Sequence, residues 1–599
     1  MNFIDQTELA NLLLEADNEV QATLLNKHTT IVDLQLAYAL KDICYSAWAS
    51  EPDRTIRAAN ALVVIAEYLG QPEVRAVADW TNGIAAIVAG QMELALERLD
   101  QAAARFELLG KSHPAAATQV SKVMVLAILG QYDEAMVCGL KARDVFLEHN
   151  DLLAAGKIEQ NLGNLFIRRD RYFEAEELYL VARERFARVG EVNQLTQIDV
   201  CLAVALASQH RFREATQLYQ TALVKAESAG MHVTQAEIEC NLGCLALFQG
   251  QYDLALDYLE RSRRRYVSLD LSHESAIAEL ELADAYLELN LAPEAAEIYV
   301  RISPIFAQLG LQAEQARTLS HHGRAYLMLG QVEQAHKALA EAQRLYVSEG
   351  NEVGEAVVTL TEAQLNYRTG NYEEVVAATS RAEATLLQAG TWGRYLLARW
   401  LHGEAARALG QTSAAREILL STLLLAEQQM TPQITQRCHT SLGLLSIAAG
   451  DLAEAEASFK RAVTLIEELR APLPAEEFRT AFIADKLTAY NELVRLCLND
   501  DQPERVIEAL GYVERARSRA LVDMLGGAFK ERLNPSDPFE ADLLTQLETL
   551  REELNWYYSQ INRPSDDITS RGTGAMAAMH AAVRNEKRPS CKSLVSYNS

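Results

Sequence analysis

The chain has 599 residues, with 56 Lys and Arg against 82 Asp and Glu, for a formal net charge of −26. So acidic a protein is ill matched to DNA, RNA or an anionic membrane surface as its main partner. Its 8 cysteines are scattered and include no CxxC pair, so neither a zinc ribbon nor a disulfide framework is suggested and a reducing compartment fits best.

The opening stretch, Met1 to Glu8, carries acids where a signal peptide carries bases. No window reaches the roughly 18 apolar residues of a membrane helix. A cytoplasmic protein is expected. Residues 1–30 hold a short amphipathic piece around Leu9 to Leu14 and read as a leader or cap.

From residue 31 the chain is periodic. Gly130-Gln131-Tyr132-Asp133-Glu134-Ala135 is preceded 40 residues earlier by Gly90 to Ala95, and it recurs in variant form down to Gly450-Asp451-Leu452-Ala453-Glu454-Ala455. A second set of turn residues lies halfway between: Gly70, Gly110, Asn150, Gly190, Gly230, Asp270, Gly310, Gly350, Gly390 and Met430. Turns every 20 residues leave room for helices of about 16–18 residues, each about 25 Å long. Gly and Asn suit the position just past a helix, where the chain turns left-handed. Residues 31–470 then divide into 11 repeats of 40. The match is weakest at 31–70 and 391–430, where irregular packing is expected.

Within each repeat some columns keep one size. The hexapeptide ends in Ala at 95, 135, 175, 215, 255, 295, 335, 415 and 455. A first-helix column reads Gly83, Val123, Gly163, Ala203, Gly243, Ala283, Gly323, Ala363, Gly403 and Gly443. Mid-helix glycine costs up to about 1 kcal/mol relative to alanine, which makes sense where paired backbones touch. Leu162-Gly163, Phe166, Ala175, Tyr179 and Ala182 resemble the tetratricopeptide repeat position for position. Leu242-Gly243, Ala255 and Leu259, and Leu442-Gly443, Ala455, Phe459 and Ala462, do the same. The 40-residue period resembles the longer-helix variant of maltose-activator-type regulators. The resemblance implies an all-α, right-handed α-solenoid of helix-turn-helix repeats, with ligand contacts on its concave side.

The register breaks at Ala471-Pro472-Leu473-Pro474. A helix pair is expected over about 476–499 and 503–525, making 471–530 one unit. Phe478-Arg479-Thr480-Ala481-Phe482, Asp485-Lys486, Tyr490 and the run from Val513 to Leu525 resemble the segment that joins tetratricopeptide arrays to CHAT domains, which resemble caspases. Residues 531–586 read as a coiled-coil-like helical hairpin, with Leu543, Leu547, Leu550, Leu554, Tyr557 and Ile561 as the seam, and 587–599 as a disordered tail. A CHAT peptidase needs a His and a Cys delivered from strand ends. His580 and Cys591 lack that setting, so the chain is expected to be non-enzymatic and to end where the peptidase would begin.

No cofactor or metal is expected: Cys240 and Cys244 are one turn apart but have no obvious third ligand, and Gly526-Gly527 lacks phosphate-loop spacing. Arg261, Arg263, Arg264 and Arg265 read as a solvated outer face, and His322, in a leucine column, as packed. Projected from the family, the groove residues are Lys157, Gln160, Asn164, Arg168, Gln197, Arg317, Arg324, Glu404, Arg407 and Arg437. The expected function is a scaffold or sensor that binds a protein or peptide there, as the regulatory part of a CHAT-type protein. Two alternatives stand beside it. One is the ligand-sensing module of a signalling or transcriptional regulator. The other is half of a split CHAT cysteine protease whose catalytic part is encoded separately.

Overall fold

A computed structural model describes residues 5–47, 52–473, 476–500 and 502–517. The heptad seam at 543–561, the returning helix at 575–586, Gly526-Gly527, His580, Cys591 and the end of the junction run, Ser518 to Leu525, lie outside the described residues.

The described residues form helices and no strand. Four precede the regular array: α1 (Gln6–Glu15), α2 (Asn18–Lys27), α3 (Leu34–Ala47) and α4 (Pro52–Leu69). Then come α5 (Pro72–Val88), α6 (Met92–Leu108), α7 (Ser112–Ile128), α8 (Tyr132–Glu148), α9 (Leu152–Arg168), α10 (Tyr172–Val189), α11 (Val192–Ser208) and α12 (Phe212–Ser228). The series continues as α13 (His232–Phe248), α14 (Tyr252–Ser268), α15 (Ser272–Glu288), α16 (Ala292–Gln308), α17 (Gln312–Met328), α18 (Val332–Glu349), α19 (Glu352–Thr369) and α20 (Tyr372–Gln388). It ends with α21 (Trp392–Ala408), α22 (Thr412–Gln428), α23 (Pro432–Ala448) and α24 (Leu452–Arg470), followed by α25 (Glu476–Phe482), α26 (Leu487–Leu498) and α27 (Pro503–Arg517). The irregularity expected at 391–430 is absent from the helix lengths, since α21 and α22 each keep 17 residues.

Every twentieth residue from Gly70 to Gly450 has positive φ. Fourteen of these are glycine; the other six are Asn150, Asp170, His210, Asp270, Asn290 and Met430. The reason is the helix end. At Gly90 the glycine N–H bonds to Ile87 O at 2.9 Å and the next N–H to Ala86 O at 2.8 Å. This pair satisfies carbonyls the helix leaves open, and it requires a left-handed residue between them. The pattern recurs at Gly130 and Gly450, and at Asp170 without glycine.

The mid-helix glycines have a more specific cause than backbone contact. A Cβ on Gly243 would lie 2.6 Å from Leu259 Cγ, and one on Gly443 would lie 2.5 Å from Phe459 Cε1. Gly83 faces Leu99, Gly163 faces Tyr179, Gly323 faces Leu339 and Gly403 faces Leu419. In each pair the large residue sits 16 positions later on the second helix and fills the missing side chain's place. Tyr179, Phe459, Leu259 and Leu339 are each at most 1% exposed.

A second periodic device links first helices to second helices by charge. Asp79, Glu159, Asp199 and Glu239 are buried on first helices. Arg105 meets Asp79 at 2.7 Å, Arg185 meets Glu159 at 2.6 Å, Lys225 meets Asp199 at 3.3 Å and Arg265 meets Glu239 at 3.1 Å. Each cation lies 26 residues after its acid. The Arg261–Arg265 cluster is therefore not a free solvated face: Arg261 and Arg265 reach Glu239, while Arg263 and Arg264 hold Glu260 at 2.8 and 2.6 Å. Buried carboxylates are costly unless paired, so these cations are structural.

Contacts group the chain into two units. Unit 1 comprises Met1–Ala229, Ser303–Arg317 and Glu341–Glu355; unit 2 comprises Gly230–Ile302, Thr318–Ala340 and Ala356–Ser599. Each unit contains contacts between segments far apart in sequence. In unit 1, Arg168 pairs with Glu314 at 3.2 Å, Arg169 donates to Gly350 O at 3.1 Å and Asn351 donates to Arg168 O at 3.2 Å. Beside them Tyr132 Oη and Glu349 Oε2 are buried without a hydrogen-bond partner among the described residues. Burial pushes the Glu349 carboxyl up to about 7.

In unit 2 the junction motif makes the corresponding contacts. Phe478 stacks on Tyr286 with centroids 6.3 Å apart, Phe482 meets Tyr252 at 5.5 Å, and Asn290 donates to Asp485 at 3.1 Å. The helix expected over 476–499 is broken at Ile483 to Lys486. Lys486 Nζ turns back to Phe482 O at 2.8 Å and lies 4.1 Å from the Phe482 ring centroid, so the break brings Asp485 and Phe482 to their partners.

Candidate functional site

The first helices carry the polar side chains that the sequence singles out. Within unit 1, Lys157 of α9 and Gln197 of α11 occupy one column, 40 residues apart. Both are exposed, and neither side chain makes a hydrogen bond or ion pair among the described residues. Asn164 is exposed but accepts from the Tyr179 hydroxyl at 2.7 Å. Gln160 is buried, and its amide donates to Cys201 Sγ at 3.7 Å. Arg168 is committed to Glu314, and Arg317 is partly buried on α17.

Within unit 2 the first-helix residues are laced together. Arg324 of α17 reaches Glu288 of α15 at 2.6 Å, and His321 contacts Asp284, which also accepts from the Tyr299 hydroxyl at 2.6 Å. Glu404 of α21 is buried, accepts from the Tyr367 hydroxyl of α19 at 3.0 Å, and holds Arg407 at 2.9 Å. Trp400 donates to Ser441 at 3.0 Å, and Arg437 lies 4.9 Å from the Trp400 ring centroid. Apart from the Tyr299 bond from α16 and the Glu404–Arg407 pair within α21, these contacts join neighbouring first helices, between residues 36 to 41 positions apart. They form a preorganised wall in which each charge is already oriented.

Sequence reasoning missed Glu237, which falls in the same column as Lys157, Gln197, Arg317 and Arg437. It is half-buried on α13, its carboxylate has no partner among the described residues, and burial pushes its pKa up to about 7. The 40-residue step from Lys157 would have found it. His322 is packed as expected: it is 7% exposed, its ring centroid lies 4.0 Å from that of Tyr326, and burial pushes its pKa down to about 4. Cys240 and Cys244 pack in the unit 2 core, and no cluster of metal-binding side chains occurs among the described residues. No described helix is long and apolar enough to cross a membrane.

Models of the tetratricopeptide repeat match residues 194–266, 240–306 and 436–468. Tetratricopeptide repeats are thus present in both halves of the array, within an all-helical repeat fold. No curated protein matches the chain in sequence. Among solved structures it is similar to a Rap protein complexed with competence and sporulation factor: 11% identity, TM-score 0.41, 73% of this chain and 99% of that one. It is also similar to the Cut9–Hcn1 hetero-tetramer of the APC/C, at 10% identity and TM-score 0.41, over 77% of this chain and 94% of that one. A third is a signal transduction ATPase with a tetratricopeptide-repeat sensor from Pyrococcus horikoshii, at 13% identity and TM-score 0.35, over 80% of this chain and 90% of that one.

Proposed function

We propose that the chain is a non-catalytic scaffold that binds a protein or peptide segment against the wall of its first helices. The observation that carries this reading is a contrast among first-helix side chains. Arg168 in unit 1 and Arg324, Glu404 and Arg407 in unit 2 are fixed by internal partners, while Lys157 and Gln197 in unit 1 and Glu237 in unit 2 keep polar ends without a partner among the described residues. A stiff wall with a few free polar groups suits binding, because little order is lost when the partner arrives. The partner recognised is a polypeptide with both basic and acidic groups, not nucleic acid or membrane.

The finer part of the proposal is that this scaffold regulates a CHAT-type caspase-like domain, in a cytoplasmic setting. Support comes from the junction residues Phe478, Phe482, Asp485, Lys486 and Tyr490, whose pattern resembles that of CHAT junctions. Capture by the immobilised full-length protein tests the binding reading. Lys157→Glu paired with Gln197→Glu is expected to abolish retention of a partner that the parent protein retains. Equal retention by both would refute it. Co-expression with a separately encoded CHAT domain tests the finer part, and absence of a complex would sink it.

A further inference from the structure

In α5 several small residues fall together. Along the array, the column that holds Leu126, Phe166, Leu206, Tyr286 and Tyr326 is alanine at Ala86 in α5, as it is at Ala246 and Ala406. Neighbouring positions are small with it: Ala85 in a column that is also alanine at 205, 285, 325 and 405, Ala89 where Leu129, Leu289 and Leu329 stand, and Ala78 where Ile158, Ile198 and Ile238 stand. On the flanking helices Ala66 and Arg98 occupy columns that hold Leu386 and Ile418 around α21, a helix with its own alanines at 398, 405 and 406. The outcome in unit 1 is a cleft of about 550 Å³ between α4 and α6, floored by α5.

The cleft is lined by three arginines, Arg75, Arg98 and Arg105, against two acids, Glu67 and Asp79. Arg105 is committed to Asp79 at 2.7 Å. Arg98 stands 4.0 Å from Asp79 and 3.2 Å from Gln101 Oε1, which leaves it spare donors. Arg75 is exposed, and its side chain makes no hydrogen bond or ion pair among the described residues. The lining therefore carries net positive charge in a chain of charge −26. Guanidinium groups with free donors over an alanine floor match a carboxylate on a short apolar body. The volume suits a few residues of peptide.

We propose that this cleft is a second binding site, distinct from the positions of Lys157 and Gln197, that takes an acidic peptide segment with its carboxylates on Arg75 and Arg98 and its apolar side chains on the alanine floor. The test is fluorescence anisotropy of labelled Ala-Leu-Glu-Leu-Glu-Ala peptide with the purified full-length protein. Two variants probe the two halves of the site: Arg75→Ala with Arg98→Ala removes the free donors, and Ala86→Leu fills the floor with the side chain found at Leu126 and Leu206, without touching charge. Saturable binding is expected, weakened about tenfold or more by either variant: the first loses charge-assisted hydrogen bonds to the carboxylates and the second occupies the space of the apolar side chains. The same peptide with Gln for Glu is expected not to bind. Absence of saturable binding, or equal affinity in the Ala86→Leu variant, would overturn the proposal. Full competition by free glutarate at equal affinity would overturn the assignment to peptide. Circular dichroism of each variant, unchanged from the parent, shows that a loss of binding is not a loss of fold.

Discussion

Glu349→Gln isolates one titration in the contact region of unit 1. Glu349 is 3% exposed, and its Oε2 has no hydrogen-bond partner among the described residues. Desolvation raises its pKa from 4.5 to about 7; Arg168 opposes the rise and Glu314 adds to it. Between those two pH values the folded protein keeps a proton that the unfolded chain has released. Stability from this group therefore falls as pH rises from about 4.5 and the loss is complete above about 7. A shift of about 2.5 units at 1.36 kcal/mol each gives about 3 kcal/mol of pH-dependent stability. Urea titrations of parent and variant at pH about 5 and about 8 measure it as a difference between proteins, so other groups cancel. The parent is expected to lose about 2.5 kcal/mol more than Glu349→Gln between those pH values, since part of the change already falls below pH about 5. Parallel losses in the two proteins would refute the assignment of a neutral buried carboxyl at 349.

Other variants test the periodic devices. Arg185→Ala leaves Glu159 buried and unpaired and is expected to cost about 3–5 kcal/mol in a urea titration, whereas truncating the exposed pair Lys337 and Glu333 is expected to cost at most about 1 kcal/mol. Gly443→Ala places a Cβ 2.5 Å from Phe459 and is expected to destabilise by about 1–3 kcal/mol despite the better helix propensity of alanine. Met430→Gly relieves a left-handed methionine that is 55% exposed, and is expected to raise the urea midpoint by about 1 kcal/mol equivalent. Phe482→Ala removes the contact with Tyr252 and is expected to cost about 3–5 kcal/mol in unit 2, with faster amide exchange around Tyr252 as the local readout.

The turns were legible because they repeat a local demand. A left-handed residue at each helix end selects Gly or Asn at a fixed interval, so twenty-residue spacing alone places helices such as α9 and α10. The charge pairing was not legible in the same way. Glu159 and Arg185 face each other only because a first helix packs on the second helix after it, and a single arginine cluster at 261–265 looks like solvated surface until Glu239 is placed beneath it. The break at Ile483 to Lys486 was hidden for a related reason. Its cause is a partner nearly 200 residues away, Asn290, and no local propensity encodes that. The candidate wall was half legible: family projection found Lys157 and Gln197, but it could not tell them from Arg168 or Glu404, whose partners Glu314 and Tyr367 come from other helices. Glu237 was open to a column count, since it stands 80 residues after Lys157 and 40 after Gln197.

The most direct test of binding at the first-helix wall is site-specific photo-crosslinking in the cell of origin. A benzoylphenylalanine residue placed at Lys157 or Gln197 is compared with one at Leu108, a second-helix position 89% exposed. The account predicts one shared crosslinked polypeptide at 157 and 197 and none at 108. Crosslinking at 108 alone, with none at 157 or 197, would contradict it.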